Sequence, residues 1–120
     1  MKVAFILDPS INQDILKQYL SESYKFSTKY YDVSNNYGAL HEIRPDLIFM
    51  STNINGQCGF NLINEMRIID FNLVIISPNE RSAIKAFKYG ALHYIVAPIT
   101  PLDIVRVQER LSMKKSISTY

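Results

Sequence analysis

A chain of 120 residues has room for one domain with a real core and too little for two. Its 48% hydrophobic and 20% charged residues suit a globular protein, and a formal charge of +2, with the 13 Lys and Arg scattered apart from Lys114-Lys115, is too weak to imply nucleic-acid binding by itself, since basic readers show a clustered patch. A single cysteine, Cys58, excludes an internal disulfide and fits a reducing, cytoplasmic setting; no apolar run approaches the ~18 residues of a membrane span, and the N-terminus lacks a signal-peptide cleavage site.

In chain order, residues 3–7 are continuously apolar and end in Asp8-Pro9, which predicts a strand. Residues 11–21 follow with a helical pattern that places Ile15, Tyr19 and Leu20 near one face. Residues 26–31 are more polar and aromatic, as an edge strand is. A short helix over 37–43 turns Leu40 and Ile43 inward. The apolar run 47–50 ends in Ser51-Thr52-Asn53, and a helix over 60–69 carries Leu62, Ile63, Met66 and Ile69 after Gly59. The run 73–76 ends in Ser77-Pro78, and a helix over 80–89 carries Ala83, Ala86 and Phe87. The run 94–96 ends in Ala97-Pro98, and a last helix over 102–113 has Pro101 in its first turn, where a missing N–H costs least. The tail 114–120 is polar and reads as a linker or a frayed end, leaving 1–113 as the domain.

Continuous apolar runs suit strands covered on both faces, and five β-α alternations predict a doubly wound parallel sheet with right-handed crossovers. Ligands in such sheets bind beyond the carboxyl ends of the strands. The residues to inspect are therefore Asp8, Pro9, Ser51, Thr52, Asn53, Ser77, Pro78, Ala97 and Pro98.

Three segments carry a resemblance. Residues 45–60, PDLIFMSTNINGQCGF, look like the stretch of response-regulator receiver domains in which an apolar strand ends in the phosphoacceptor aspartate. Residues 86–99, AFKYGALHYIVAPI, look like that family's Gly-Ala, aromatic, Lys-Pro signature. The first strand, ending in Asp8, resembles the arm with the acidic pair. The resemblance implies a flavodoxin-like (CheY-like) three-layer sandwich: α/β, five parallel strands alternating with five helices. It also implies a role in two-component signal transduction, here of a pseudo-receiver kind, and no enzyme. The segment 90–99 is most similar to receivers joined to a LytTR-type output domain, which would place the chain in transcription regulation; no such domain lies in these residues, so no direct nucleic-acid contact is expected of them.

The family's chemistry needs a carboxylate nucleophile, Mg²⁺ on acidic residues, and a lysine for the developing charge. Carried over by position, the acceptor is Ser51, whose hydroxyl needs a base that no nearby His or Asp supplies. The acidic pair is reduced to Asp8, with Leu7 or Pro9 as its neighbour according to register. The lysine is replaced by Ala97, while the switch residues are matched by Ser77 and Tyr94. A lone Asp8 among hydroxyls would bind Mg²⁺ weakly, so no metal site and no cofactor is expected.

Each position has a plainer reading. Asp8 serves equally to cap the turn before Ile11, and Ser51, Thr52 and Asn53 serve to satisfy loop backbone groups. Ser77 and Tyr94 are a retained switch or plain packing. Cys58 is a redox thiol at a helix N-terminus or an inert loop residue, the latter favoured because no resolving cysteine exists. His93 stands alone and receives no metal role. Lys85, Lys88, Asp103, Arg106, Glu109 and Arg110, on the last two helices, form a mixed-charge face that is a dimerisation surface or a solvated one. The expected function is homodimerisation or other protein contact without aspartyl phosphorylation. The rival is a small-molecule or anion sensor using Pro9, Ser51, Thr52, Asn53 and Ser77; no Gly-rich phosphate loop or Asp-x-His cobalamin pattern supports an enzyme.

Overall fold

The computed structural model describes residues 1–23, 28–54, 56–65 and 71–118. Among them, strands β1 (Lys2–Ile6), β2 (Lys29–Asp32), β3 (Leu47–Ser51), β6 (Asn72–Ser77) and β7 (His93–Val96) form one parallel sheet in the order β2-β1-β3-β6-β7. A separate antiparallel hairpin, β4 (Asn53–Ile54) and β5 (Gln57–Cys58), stands beyond β3. The α-helices are α1 (Gln13–Ser23), α2 (Leu40–Ile43), α3 (Gly59–Glu65), α4 (Ala83–Lys88) and α5 (Pro101–Ser118). The expected three-layer sandwich of five parallel strands is present.

Side chains alternate across each strand, so the sheet divides the core in two. Ala4, Ile6, Ile48, Met50 and Ile75 lie under α2, α3 and α4, which contribute Leu40, Phe60, Leu62 and Ala86. Val3, Phe5, Phe49, Val74, Ile76 and Ile95 lie under α1 and α5, which contribute Leu16, Leu20, Ile104, Val107 and Leu111. All five residues of β3 are buried, which is why its sequence reads as one apolar run without alternation.

Several boundaries differ from the sequence reading, each for a local reason. Helix α1 starts two residues later than expected because Asn12 caps it, its Oδ1 accepting the N–H groups of Asp14 and Ile15. Leu16 then shares the inner face with Leu20, while Ile15 is left exposed. The second helix divides into a 3-10 turn, Tyr37–Ala39, and α2, which ends at Arg44 in the left-handed region (φ 50°) just before Pro45. Helix α4 starts at Ala83 because the Asn79 side chain accepts the Arg81 N–H and holds residues 79–82 in turns.

The expected edge strand over 26–31 falls at Lys29–Asp32, and its residues 26 and 27 lie outside the described residues. So do residues 66–69 of the helix expected over 60–69. Helix α5 does not stop at Met113. It continues to Ser118, so the segment read as a polar tail is helical over most of its length. Lys114 is tied down there, its Nζ donating to Asn72 Oδ1 at 2.7 Å. No described helix is long and apolar enough to cross a membrane.

Candidate functional site

The carboxyl ends of β1, β3 and β6 meet at one corner. Ser51, the last residue of β3, is 3% exposed, and its Oγ accepts the backbone N–H of Asp8 at 2.9 Å. The hydroxyl thus ties the end of β3 to the loop after β1. The N-terminus of α3 closes over it: a Cβ on Gly59 would overlap the Ser51 carbonyl oxygen and lie 3.3 Å from Met50 Sδ. Gly59 N–H donates to Thr52 O at 2.9 Å, which fixes this close approach. The sequence reading gave Gly59 no role beyond preceding a helix.

The Asp8 carboxylate is bonded within its own loop. Its Oδ1 accepts the Ser10 N–H at 2.9 Å, and the Asp8 carbonyl accepts the Ile11 N–H. The Ser10 N–H and hydroxyl hold the Asp8 carboxyl below its usual range. Of the two candidate neighbours, Leu7 is buried in the core, its N–H donating to Ser34 Oγ at 3.0 Å, and Pro9 is exposed. Neither adds an oxygen. These residues do not make the carboxylate-rich octahedral set that Mg²⁺ takes, and no cluster of three or more His, Cys, Asp or Glu is found among the described residues.

On the β6 side, Thr52 Oγ1 and Ser77 Oγ are 3.3 Å apart, and Ser77 is buried. Ala97 stands at the end of β7 with its N–H donating to Ser77 O at 2.8 Å, and its methyl packs on the α1/α5 side of the core. The following Ala97-Pro98 peptide is cis. The two switch positions meet through one residue that the sequence reading missed, Asn79. Its N–H donates to Ser77 Oγ at 3.5 Å, and its carbonyl accepts the Tyr94 hydroxyl. The signal was available in the Ser77-Pro78-Asn79 turn directly after the strand.

Asn53 was grouped with the corner but serves the hairpin. It pairs with Cys58, and its Oδ1 accepts the N–H of Gly56, which takes φ 82° in the turn. Cys58 is exposed on β5. A surface groove of about 390 Å³ is lined by Asp8, Pro9, Gln13, Asp32, Ser34 and neighbours. Asp32 is another polar group the sequence reading did not single out. Burial pushes its carboxyl up, but the Ser34 hydroxyl and N–H, the Gln13 amide and the nearby Lys17 outweigh this and hold it below the usual range. Ser34 Oγ donates to Asp32 Oδ1 at 2.7 Å and Gln13 Nε2 to Oδ2 at 3.0 Å, so both carboxylate oxygens are engaged.

The mixed-charge face is partly as expected. Lys85, Lys88, Arg106, Glu109 and Arg110 are exposed. Asp103 is not a free member of it. Its Oδ2 accepts the Thr100 N–H and hydroxyl at 2.9 and 3.0 Å, and its own N–H reaches Thr100 Oγ1 at 3.4 Å, a reciprocal cap for α5. Arg110 Nη1 donates to Leu92 O at 2.9 Å and its guanidinium lies 6.0 Å from the Phe87 ring. The same face exposes apolar side chains that the charge pattern had hidden: Ile84 (73%) and Phe87 (49%) on α4, Val96 on edge strand β7, and Leu102 and Val105 on α5.

Solved structures match this geometry over nearly the whole chain. The response regulatory domain of protein mrkE from Klebsiella pneumoniae superposes with a TM-score of 0.79 at 21% identity, covering 97% of this chain and 99% of that one. This chain has the fold of a response-regulator receiver domain. The N-terminal domain of the nisin resistance regulator NsrR, a lantibiotic response regulator, matches at TM-score 0.71 and 23% identity over 93% of this chain and 95% of its own. NtrX from Brucella abortus, solved in complex with ATP, matches at TM-score 0.75 and 21% identity over 98% of this chain but 29% of its own. No family model and no curated protein matches the sequence. The receiver fold therefore stands on backbone geometry.

Proposed function

We propose that this chain is a receiver-fold signalling module that acts by protein contact, as a homodimer through the α4–β7–α5 face, without accepting a phosphoryl group. The exposed apolar side chains Ile84 and Phe87 of α4, Val96 of β7, and Leu102 and Val105 of α5 carry the reading, because a monomer gains nothing from holding five such groups in water. Lys85, Lys88, Arg106, Glu109 and Arg110 accompany them with both charge signs, the pattern of an apolar centre with a polar rim. Strand β7 is the sheet's edge, so the face is open between the two helices.

The input side supports the same reading. Ser51 lies buried with its hydroxyl on the Asp8 N–H, Leu7 occupies the core, and Ala97 offers no cation. The sensor alternative gains little from these contacts, since the Ser51, Thr52 and Ser77 hydroxyls are bonded to backbone groups and to one another. The 29% share of NtrX that the fold covers supports a place as one module of a longer regulator.

The dimer is tested by sedimentation equilibrium of the wild-type chain, Phe87→Ser and Arg106→Glu. The wild type should run as a dimer and both variants should shift to monomer. A wild-type chain still monomeric at about 100 µM, an association weaker than about 5.5 kcal/mol, or variants with an unchanged mass distribution, would count against the assigned face.

A further inference from the structure

His93 opens β7, pairs with Val74 of β6, and shares the sheet face of Ile95, which packs against Ile104, Val107 and Leu111 of α5. It is 6% exposed. Among the described residues neither ring nitrogen has a hydrogen-bond partner. A buried imidazole in that condition is tolerated as the neutral form, which carries one donor and one acceptor; the cation carries two donors and a charge.

The charges facing the ring come from α5. Arg106 and Arg110 are cations, and Asp103 is the one carboxylate. Asp103 is already engaged by the Thr100 N–H and hydroxyl. Arg110 is already engaged on Leu92 O, the residue before His93, and so clamps α5 to the start of β7. Lys85 and Lys88 belong to α4, which packs on the other face of the sheet, and β6 has no titratable side chain. On α1, Lys17 stands over Tyr30 of the opposite edge strand, while Asp14 and Glu22 are exposed.

We propose that His93 is a proton-triggered release for α5: the neutral ring seats in the seam between α5 and β7, and a proton on it drives the helix away from the sheet. A proton placed there meets two guanidinium groups against the one carboxylate of Asp103, and neither ring nitrogen has a partner, so the cation gains by opening the seam to water. Burial first, then Arg110 and Arg106, lower the folded pKa below the free value of 6.5, against the opposite pull of Asp103. The seated form therefore keeps its full stability above about pH 6.5 and loses it as pH falls below that value through the folded pKa, at a rate of at most about tenfold in the opening equilibrium per pH unit. Helix α5 also carries part of the proposed dimer face, but the release does not rest on that assignment.

Native-state hydrogen exchange of the intact chain at pH 7.5, 6.5 and 5.5, corrected for the intrinsic pH dependence of exchange, reads the release directly. Protection of α5 amides should fall with pH while protection of β1 and β3 holds. The fall should vanish in His93→Phe and in His93→Leu, of which either folded variant suffices. A parallel NMR titration should show the His93 ring taking up its proton over the range in which α5 loosens. An α5 that loses no more protection than β3, or a loss that persists in the His93 variants, overturns the proposal.

Discussion

Replacing Ser51 with alanine separates a structural hydroxyl from a nucleophile in waiting. The substitution removes the acceptor for the Asp8 N–H, a 2.9 Å bond to a residue that is 3% exposed. Losing one partner of such a bond costs about 1–2 kcal/mol, because the N–H left behind is partly shut off from water. At about 2.1 cal/mol/K of unfolding entropy per residue, 120 residues convert that cost to a fall of about 4–8 °C in the thermal midpoint. Urea unfolding should show the same loss in free energy at an unchanged m-value, since the surface exposed on unfolding stays the same. An alanine variant that melts within a degree of the wild type would refute the view that this hydroxyl is held for the loop after β1.

Further outcomes follow from the same contacts. Gly59→Ala should destabilise by about 1–3 kcal/mol, because its Cβ meets the Ser51 backbone and not a side chain that can turn aside; a neutral result in thermal denaturation would mean that α3 can retreat from β3 at no cost. Tyr94→Phe should lower stability by about 1 kcal/mol through loss of the bond to the Asn79 carbonyl, and the Asn79 amide resonance should shift with it. Asp8 and Asp32 are held below their ordinary pKa of 3.8, so their contribution is full above that pH and lost as pH falls through the folded values. Asp32→Asn should flatten the acid limb of the urea midpoint against pH, and an unaltered limb would assign it to other carboxylates.

The sequence made the sheet legible because parallel strands buried on both faces leave unbroken apolar runs, and the runs at β1, β3, β6 and β7 each ended in polar or proline residues. It also placed Asp8, Ser51 and Ser77 correctly at strand ends, because doubly wound topology brings those ends together. What it missed depended on side-chain direction. Apolar Ile15 and Phe87 read with the inward residues, yet Leu16 holds the inner face of α1, and of the residues named on α4 only Ala86 is buried, since one residue is about 100° on a helix. Asp103 read as a surface charge because its partner, Thr100, lies before the helix begins. The exposed apolar residues on α4, β7 and α5 are spread over three elements and have no signature in any one of them.

The central claim is that the corner at Ser51 takes no phosphoryl group. Incubation with acetyl phosphate and Mg²⁺, followed by intact-mass measurement, tests it most directly. The account predicts the unmodified mass at every time point. A phosphoryl adduct of either kind, hydroxylamine-labile on Asp8 or hydroxylamine-stable on Ser51, Thr52 or Ser77, would contradict it.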